Sequence, residues 1–296
     1  MELRVLRYFL LAAREENITR AAELLHITQP TLSRQLMQLE QELGTKLLIR
    51  GQHSITLTDD GMLLKRRAQE LVALADKTQR EFSRQEGSLT GELSIGSGET
   101  LSMYTLSQWI ASFRAEHPLV RYDIYSATAD EIKDRIEKGL LDIGLLVEPV
   151  DISKYEFLRM PGTERWGVLV PADSPLAARE WVGPADLAHT PLLTARRSEV
   201  QDGLRGWFGP GYDSLEIVGT YNLIYNAAVM VRSGVACALT TEHDRVYEGL
   251  RFIPLRPALE RGAVLVWKKH QACSPAAAQF LAHVQKCSER MAGNDN

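Results

Sequence analysis

Six residues between Gln29 and Gln38 carry chemistry suited to a grooved, anionic polymer. Arg34 offers a two-pronged guanidinium that can grip a guanine edge or a phosphate, and Gln29 and Gln38 can pair with adenine edges. Thr31 and Ser33 supply hydroxyls for phosphate oxygens. Pro30 leaves the backbone room to approach a duplex closely. A second set, Arg50, Gln52 and His53 in "RGQHS", can reach a neighbouring groove or phosphate. The competing reading is an ordinary solvated helix face, and an outward Met37 suits neither.

Residues with the spacing of a catalytic site are harder to find. "GSGETL" (Gly96 to Leu101) follows a strand-like run and opens a helix, so it can receive a phosphate or carboxylate. It lacks the third glycine of a dinucleotide fingerprint, and Ser97 is not framed as G-x-S-x-G. His117, His189, His243, His270 and His283 are scattered without metal-ligand spacing. Asp130 and Glu131 begin a predicted helix, where acids suit the dipole. The expectation is no catalytic residue, no metal and no cofactor.

The elements that must position the first set are legible. Leu3, Leu6, Leu10 and Ala13 form one helical stripe. A second helix starts at Asn17 or Thr19, both good N-caps, and buries Ala21, Leu24 and Leu25. "HIT" turns the chain, Thr28 caps a third helix, and Pro30 falls in its first turn. Leu32, Leu36, Leu39 and Leu43 form the inner stripe of that helix, which turns Arg34 almost directly outward. Gly44 ends it. "KLLIRGQHSITLT" reads as a β-hairpin wing. A helix, a tight turn and a second helix with a polar outer face make a helix-turn-helix.

From Asp60 to about Gln85 runs one long helix. Leu64, Ala68, Leu71, Ala75, Thr78 and Phe82 are spaced as a heptad seam, which predicts dimerisation; packing on the chain's own C-terminal domain is the alternative. After the linker "GSLTGE", strand-like runs ("ELSIGS", "VRYDIYS", "LDIGLLV", "RWGVLVP", "LEIVGTY", "ACALT", "AVLVWK") alternate with helical stretches at about 100–116, 130–139, 201–208, 222–233 and 275–290. That is an α/β pattern with mostly parallel strands. "RMPGTERW" and "ERGAVLVW" are candidate crossings between two halves. Ligands of such modules collect at the carboxyl ends of strands, where helices begin. Ser97, Gly98, Thr100, Ser102 and Thr128 occupy such places in one half, and Thr194, Arg196 and Asn222 in the other. Each hydroxyl has a helix cap as its competing role. Bare N–H groups and an arginine favour a small organic acid or zwitterion, whereas Glu99 opposes an anion.

Composition bounds these readings. The chain has 296 residues, 45% of them hydrophobic, and a net charge of −4, so it is long enough for two or three compact units. Residues 1–86 are nearly balanced between acidic and basic side chains, so nucleic-acid binding must rest on where charges sit rather than on bulk charge. No apolar run is long enough to span a bilayer, and the N-terminus does not read as a signal peptide. Cys237, Cys273 and Cys287 lack metal-ligand spacing and read as reduced thiols of a cytoplasmic protein.

Two stretches, "LRYFLLAAREENITRAAELLHITQPTLSRQLMQLEQELGTKLLIR" and "ITLTDDGMLLKRRA", make residues 1–60 resemble the winged helix-turn-helix of the LysR-type transcriptional regulators. The remainder resembles the family in layout, through "GSLTGELSIG", "FRAEHP", "GLLDIGLL" and "GVACAL". The resemblance implies a long linker helix and an effector domain of two Rossmann-like halves, similar to periplasmic binding proteins, with a small inducer between them. It places DNA contacts on Gln29, Pro30, Thr31, Ser33 and Arg34, with Arg50 and His53 in the wing. His53 departs from the basic residue often found there, and "GVACALTT" lacks the "LP" that often closes the second half's pocket. The implied layout is a winged helix-turn-helix at 1–59, a linker helix at 60–86 and an effector domain at 91–296. Its first half comprises 91–160 and 267–296, and its second half 161–266. A homodimer or homotetramer is implied, acting on double-stranded promoter DNA in the cytoplasm. The runner-up is a DNA-binding regulator or architectural protein without an inducer.

Overall fold

The computed structural model describes residues 1–51, 54–81, 89–244, 246–270 and 273–294. The chain divides into two compact units, Met1–Phe82 and Ser83–Asn296. His53, Gln52 and Phe82 lie outside the described residues, as do Gly87 and Ser88 of the "GSLTGE" linker.

The first unit contains α1 (Leu3–Glu15), α2 (Ile18–Leu24), α3 (Gln29–Leu43), β1 (Leu48–Arg50), β2 (Ile55–Leu57) and α4 (Asp59–Glu81). Asn17 is the cap that starts α2, its side chain accepting from the Arg20 N–H. Thr28 precedes α3, but its hydroxyl bonds the Thr31 hydroxyl at 2.8 Å instead of capping backbone. Gly44 ends α3 in the left-handed region at φ 69°. β1 and β2 pair antiparallel, so the wing is a hairpin.

Four stripes sit differently from their sequence pattern. In α1 the core takes Val5, Leu6, Phe9 and Ala12, and Leu3 is exposed. Phe9, the largest buried side chain here, sets the rotation of the helix. In α2 the buried pair is Ala21 and Ala22 while Leu24 is exposed, because small side chains let α2 approach its neighbours closely. In α3 Leu43 is exposed, and Glu40 has the last buried place. In α4, Ala68 is fully buried in the unit's own core, with Leu64 and Val72 packed against it. Two of the six expected seam residues, Leu64 and Ala68, therefore face the unit's own core, leaving Leu71 exposed with Leu63 and Leu74. Gly61 is required where α4 meets the wing, since a Cβ there would lie 2.1 Å from the Leu47 carbonyl oxygen.

In the second unit one sheet has the order β4-β3-β5-β13-β6. Its strands are β3 (Gly91–Ser97), β4 (Val120–Ser126), β5 (Ile143–Val147), β6 (Tyr155–Arg159) and β13 (Ala263–Lys268). The other sheet has the order β11-β7-β10-β8-β9, with β12 paired to β7. It is built from β7 (Glu164–Pro171), β8 (Leu192–Ala195), β9 (Ile217–Tyr221), β10 (Cys237–Thr241), β11 (Leu250–Pro254) and β12 (Glu260–Arg261). The helices are α5 (Ser102–Glu116), α6 (Ala129–Glu137), α7 (Pro184–Leu187), α8 (Ser198–Phe208), α9 (Ile224–Arg232) and α10 (Pro275–Asn294).

The sheets are mixed rather than mostly parallel. β3 runs parallel to β4 and β5, and β8 to β9 and β10. The strands beside the crossings, β7 and β13, run antiparallel to their neighbours. β13 belongs wholly to the first sheet, so the return crossing lies at Gly262 and not near 267. A Cβ at Gly262 would meet the Glu148 carboxylate at 2.6 Å, so a larger residue there would have to displace that side chain. Phe113 and Phe280 pack edge-on in the first half's core, which ties α10 back to α5.

Candidate functional site

On α3 the buried Leu32, Leu36 and Leu39 fix the opposite face outward. Gln29, Pro30, Thr31, Arg34 and Gln38 are exposed, and Ser33 is half-buried. The wing joins this face directly. Arg50 Nη1 donates to Ser33 Oγ at 2.8 Å, so two of the expected contact residues hold each other. Beneath them the buried Glu40 carboxylate accepts from the Leu47 and Leu48 backbone N–H groups at 2.9 and 3.2 Å. Lys46 lies 3.4 Å and Arg50 3.9 Å from the same carboxylate. Glu40 thus sets where β1 leaves α3 and how Arg50 is presented. Glu40→Ala strands two backbone donors and should cost about 1–3 kcal/mol of stability, read by thermal denaturation of the full chain. Glu40→Gln, which keeps an acceptor, should lose less.

In the second unit, the carboxyl ends of the strands of both sheets surround a cavity of about 130 Å³. Four helices begin around it. Three of these starts are filled by the chain's own side chains. Glu164, wholly buried at the head of β7, accepts from the Leu101 N–H at 3.2 Å and from the Ser102 N–H and hydroxyl at 2.9 and 2.6 Å. Thr100 also donates to it. The start of α5 is therefore occupied by a carboxylate from the other half. Glu99 reciprocates, accepting from the Ile224 N–H at 2.5 Å and capping α9. Thr128 caps α6 in a reciprocal box with Glu131. Of the four, α8 begins without a side-chain cap among the described residues, beside Arg196 and Arg197.

These bonds engage several of the expected ligand residues. Gly98, Thr128, Arg196 and Asn222 line the cavity. Thr100 and Ser102 are bound to Glu164 instead, Ser97 Oγ donates to its neighbour's carbonyl, and Thr194 is buried within β8. Ser97, Thr100, Ser102 and Thr194 are not among the cavity's lining residues. Arg197 is held by the Pro149 carbonyl at 3.1 Å and by Asp130 at 3.4 Å.

The model of a bacterial regulatory helix-turn-helix protein, lysR family, matches residues 3–62, and that of a LysR substrate binding domain matches residues 86–288. The chain belongs to the LysR family. It is a DNA-binding transcriptional regulator of that type. The Hca operon transcriptional activator HcaR of Escherichia coli (strain K12) is 28% identical over 298 residues, 97% of this chain and 98% of HcaR. The uncharacterised regulator YnfL of the same organism is 30% identical over 301 residues, 96% of this chain and 98% of YnfL. Among solved structures, full-length CbnR complexed with its target DNA superposes with a TM-score of 0.77 at 23% identity, covering 97% and 99% of the two chains.

In this LysR-family regulator, sequence reasoning missed Trp166, Tyr221 and His243 on the cavity wall and Glu164 at the start of α5. Glu164 gave no signal, because its partners lie 62 to 64 positions earlier in the chain. His243 lines the cavity, and its Nε2 lies 3.2 Å from Thr240 Oγ1. Burial holds its imidazole below the ordinary pKa, against the opposing pull of Glu99, Glu164 and Glu242. An unfolded histidine binds its proton near pH 6.5, so below that pH the unfolded chain binds more protons than the folded one. Stability is complete above about pH 6.5 and falls as pH drops through it. Calorimetry between pH 7.5 and 5.5 should show a smaller fall in melting temperature for His243→Gln than for the parent.

Proposed function

We propose that this regulator reads duplex promoter DNA through α3 and the wing, and that a small molecule in the cleft of its second unit modulates the binding. Gln29, Pro30, Thr31, Ser33, Arg34 and Gln38 face the duplex, with Arg50 and His53 beside it. The observation that carries this reading is the Arg50–Ser33 bond, which joins wing and helix into one exposed polar surface. CbnR, a structural neighbour, has been solved on its target DNA, which supports the same use of the fold here.

The ligand part rests on a cavity at the strand ends of two α/β halves, the usual place for small molecules in such folds. Closing or opening the halves shifts the populations of two DNA-bound shapes. Assembly as a homodimer or homotetramer supplies paired reading surfaces. No helix among the described residues is long and apolar enough to cross a membrane, which fits action in the cytoplasm. A footprint on the DNA flanking the coding sequence, with and without a bacterial metabolite extract, tests the reading. A protected region whose extent changes with the extract supports it. Protection indifferent to every extract leaves an inducer-free DNA-binding protein.

A further inference from the structure

Resting on the reading of the cleft as a ligand site, we infer that it takes a ligand with a single acidic end and an apolar body about the size of benzene, and that Glu99 refuses a second carboxylate. Size comes first. An apolar protein cavity of about 150 Å³ accommodates benzene. The cleft's 130 Å³ therefore leaves room for one ring or a short branched chain.

The walls set the character of that body. Trp166, Tyr221, Leu145, Val147, Val200 and Leu223 line the cavity with ring and alkyl surface. A polar group turned toward these walls would lose hydration without a replacement partner, at a cost for each unpaired group.

Charge then sets the number and place of acidic groups. The start of α9 lies on the cavity wall and already holds a carboxylate of the chain, Glu99. A ligand carboxylate beside Glu99 would meet a like charge within the cavity, which is unfavourable. Glu148, on another wall, adds a further negative charge that Arg159 balances at 3.0 Å. The opposite corner is cationic. Arg197 is engaged by Asp130 and the Pro149 carbonyl, whereas no carboxylate among the described residues pairs with the Arg196 guanidinium. Arg196 lines the cavity beside the uncapped start of α8, and it receives the single acidic end. The arrangement departs from a polar acid or zwitterion, which the sequence alone favours.

Matched probes test this on the full chain by calorimetric titration. Benzoate and terephthalate share a ring and differ by one carboxylate; 4-methylpentanoate and adipate give the same contrast without a ring. The parent should bind benzoate or 4-methylpentanoate at least tenfold more tightly than the corresponding diacid. Arg196→Ala should weaken the monoacid at least tenfold. Glu99→Gln keeps an acceptor for the Ile224 N–H while removing the charge, and should narrow the gap between terephthalate and benzoate. Diacids binding the parent as tightly as monoacids would overturn the inference while leaving the cleft a ligand site. If no probe binds, the inference falls, and the footprint response to extract decides separately whether the cleft is used at all.

Discussion

Arg34→Ala should lower affinity for the specific DNA site by about 1–3 kcal/mol, roughly five- to 150-fold, when measured at fixed salt. The size follows from where the side chain is held. Leu32 and Leu36 are wholly buried, so α3 cannot rotate to retract its outer face. No residue among those described binds the Arg34 guanidinium, so its paired donors meet the duplex without first breaking a bond within the protein. If the partner is a guanine edge, preference relaxes at one position in each half-site. If it is a phosphate, every sequence weakens alike and the salt dependence drops by about one counterion. Unchanged affinity would remove Arg34 from the interface. Ser33→Ala is the useful contrast, because it releases Arg50 from its tether without deleting a charge.

The part of the fold visible in the sequence is the part governed by near neighbours. Asn17 as a cap, Gly44 as a stop and the hairpin about "RGQHS" depend on residues a few positions apart, and the structure has all three. The outward placement of Arg34 needed only the spacing of three leucines. Burial within a stripe is less local. Leu3 and Leu24 fit their helical patterns yet lie exposed, because the rotation of each helix is chosen by Phe9 and by the close approach of Ala21 and Ala22. β6 and β8 escaped notice, as "YEFLR" alternates with charge and "LLTA" has four residues.

Of the residues expected around a cleft, some line the cavity and others are bonded elsewhere. Strand ends and helix starts could be found along the chain, which placed Gly98, Thr128, Arg196 and Asn222 at the cavity. Whether a helix start is vacant is a question about partners far away in sequence. Glu164 reaches Ser102, and Glu99 reaches Ile224 across 125 positions. No periodicity records such an exchange. The hydroxyls of Thr100 and Ser102 therefore read as free donors when they are already bonded.

Leu71→Glu should dissociate the assembly, because α4 has two apolar faces and only one is used within its own unit. Leu64, Ala68 and Val72 meet the core around α1. Leu63, Leu71 and Leu74 remain 51%, 41% and 40% exposed, on a stripe roughly 100° round the helix axis from the first. A stripe of leucines along a 23-residue helix is covered economically by the same stripe of a second copy. A glutamate at the middle of that contact would have to be buried without a cation or remain in water and hold the helices apart. Two linked reading heads gain about 10²- to 10⁴-fold over one when both half-sites are engaged. The variant should therefore sediment as a monomer and lose affinity of that order on the paired site, while binding to an isolated half-site stays near the parent's. Its melting should separate the two ways this can fail. Because Leu71 is exposed within its own unit, substitution there should change the monomer's intrinsic stability by no more than about 0.5 kcal/mol. A folded variant that still sediments as the parent does would place the interface on another surface, and the exposed stripe of α4 would need a different partner.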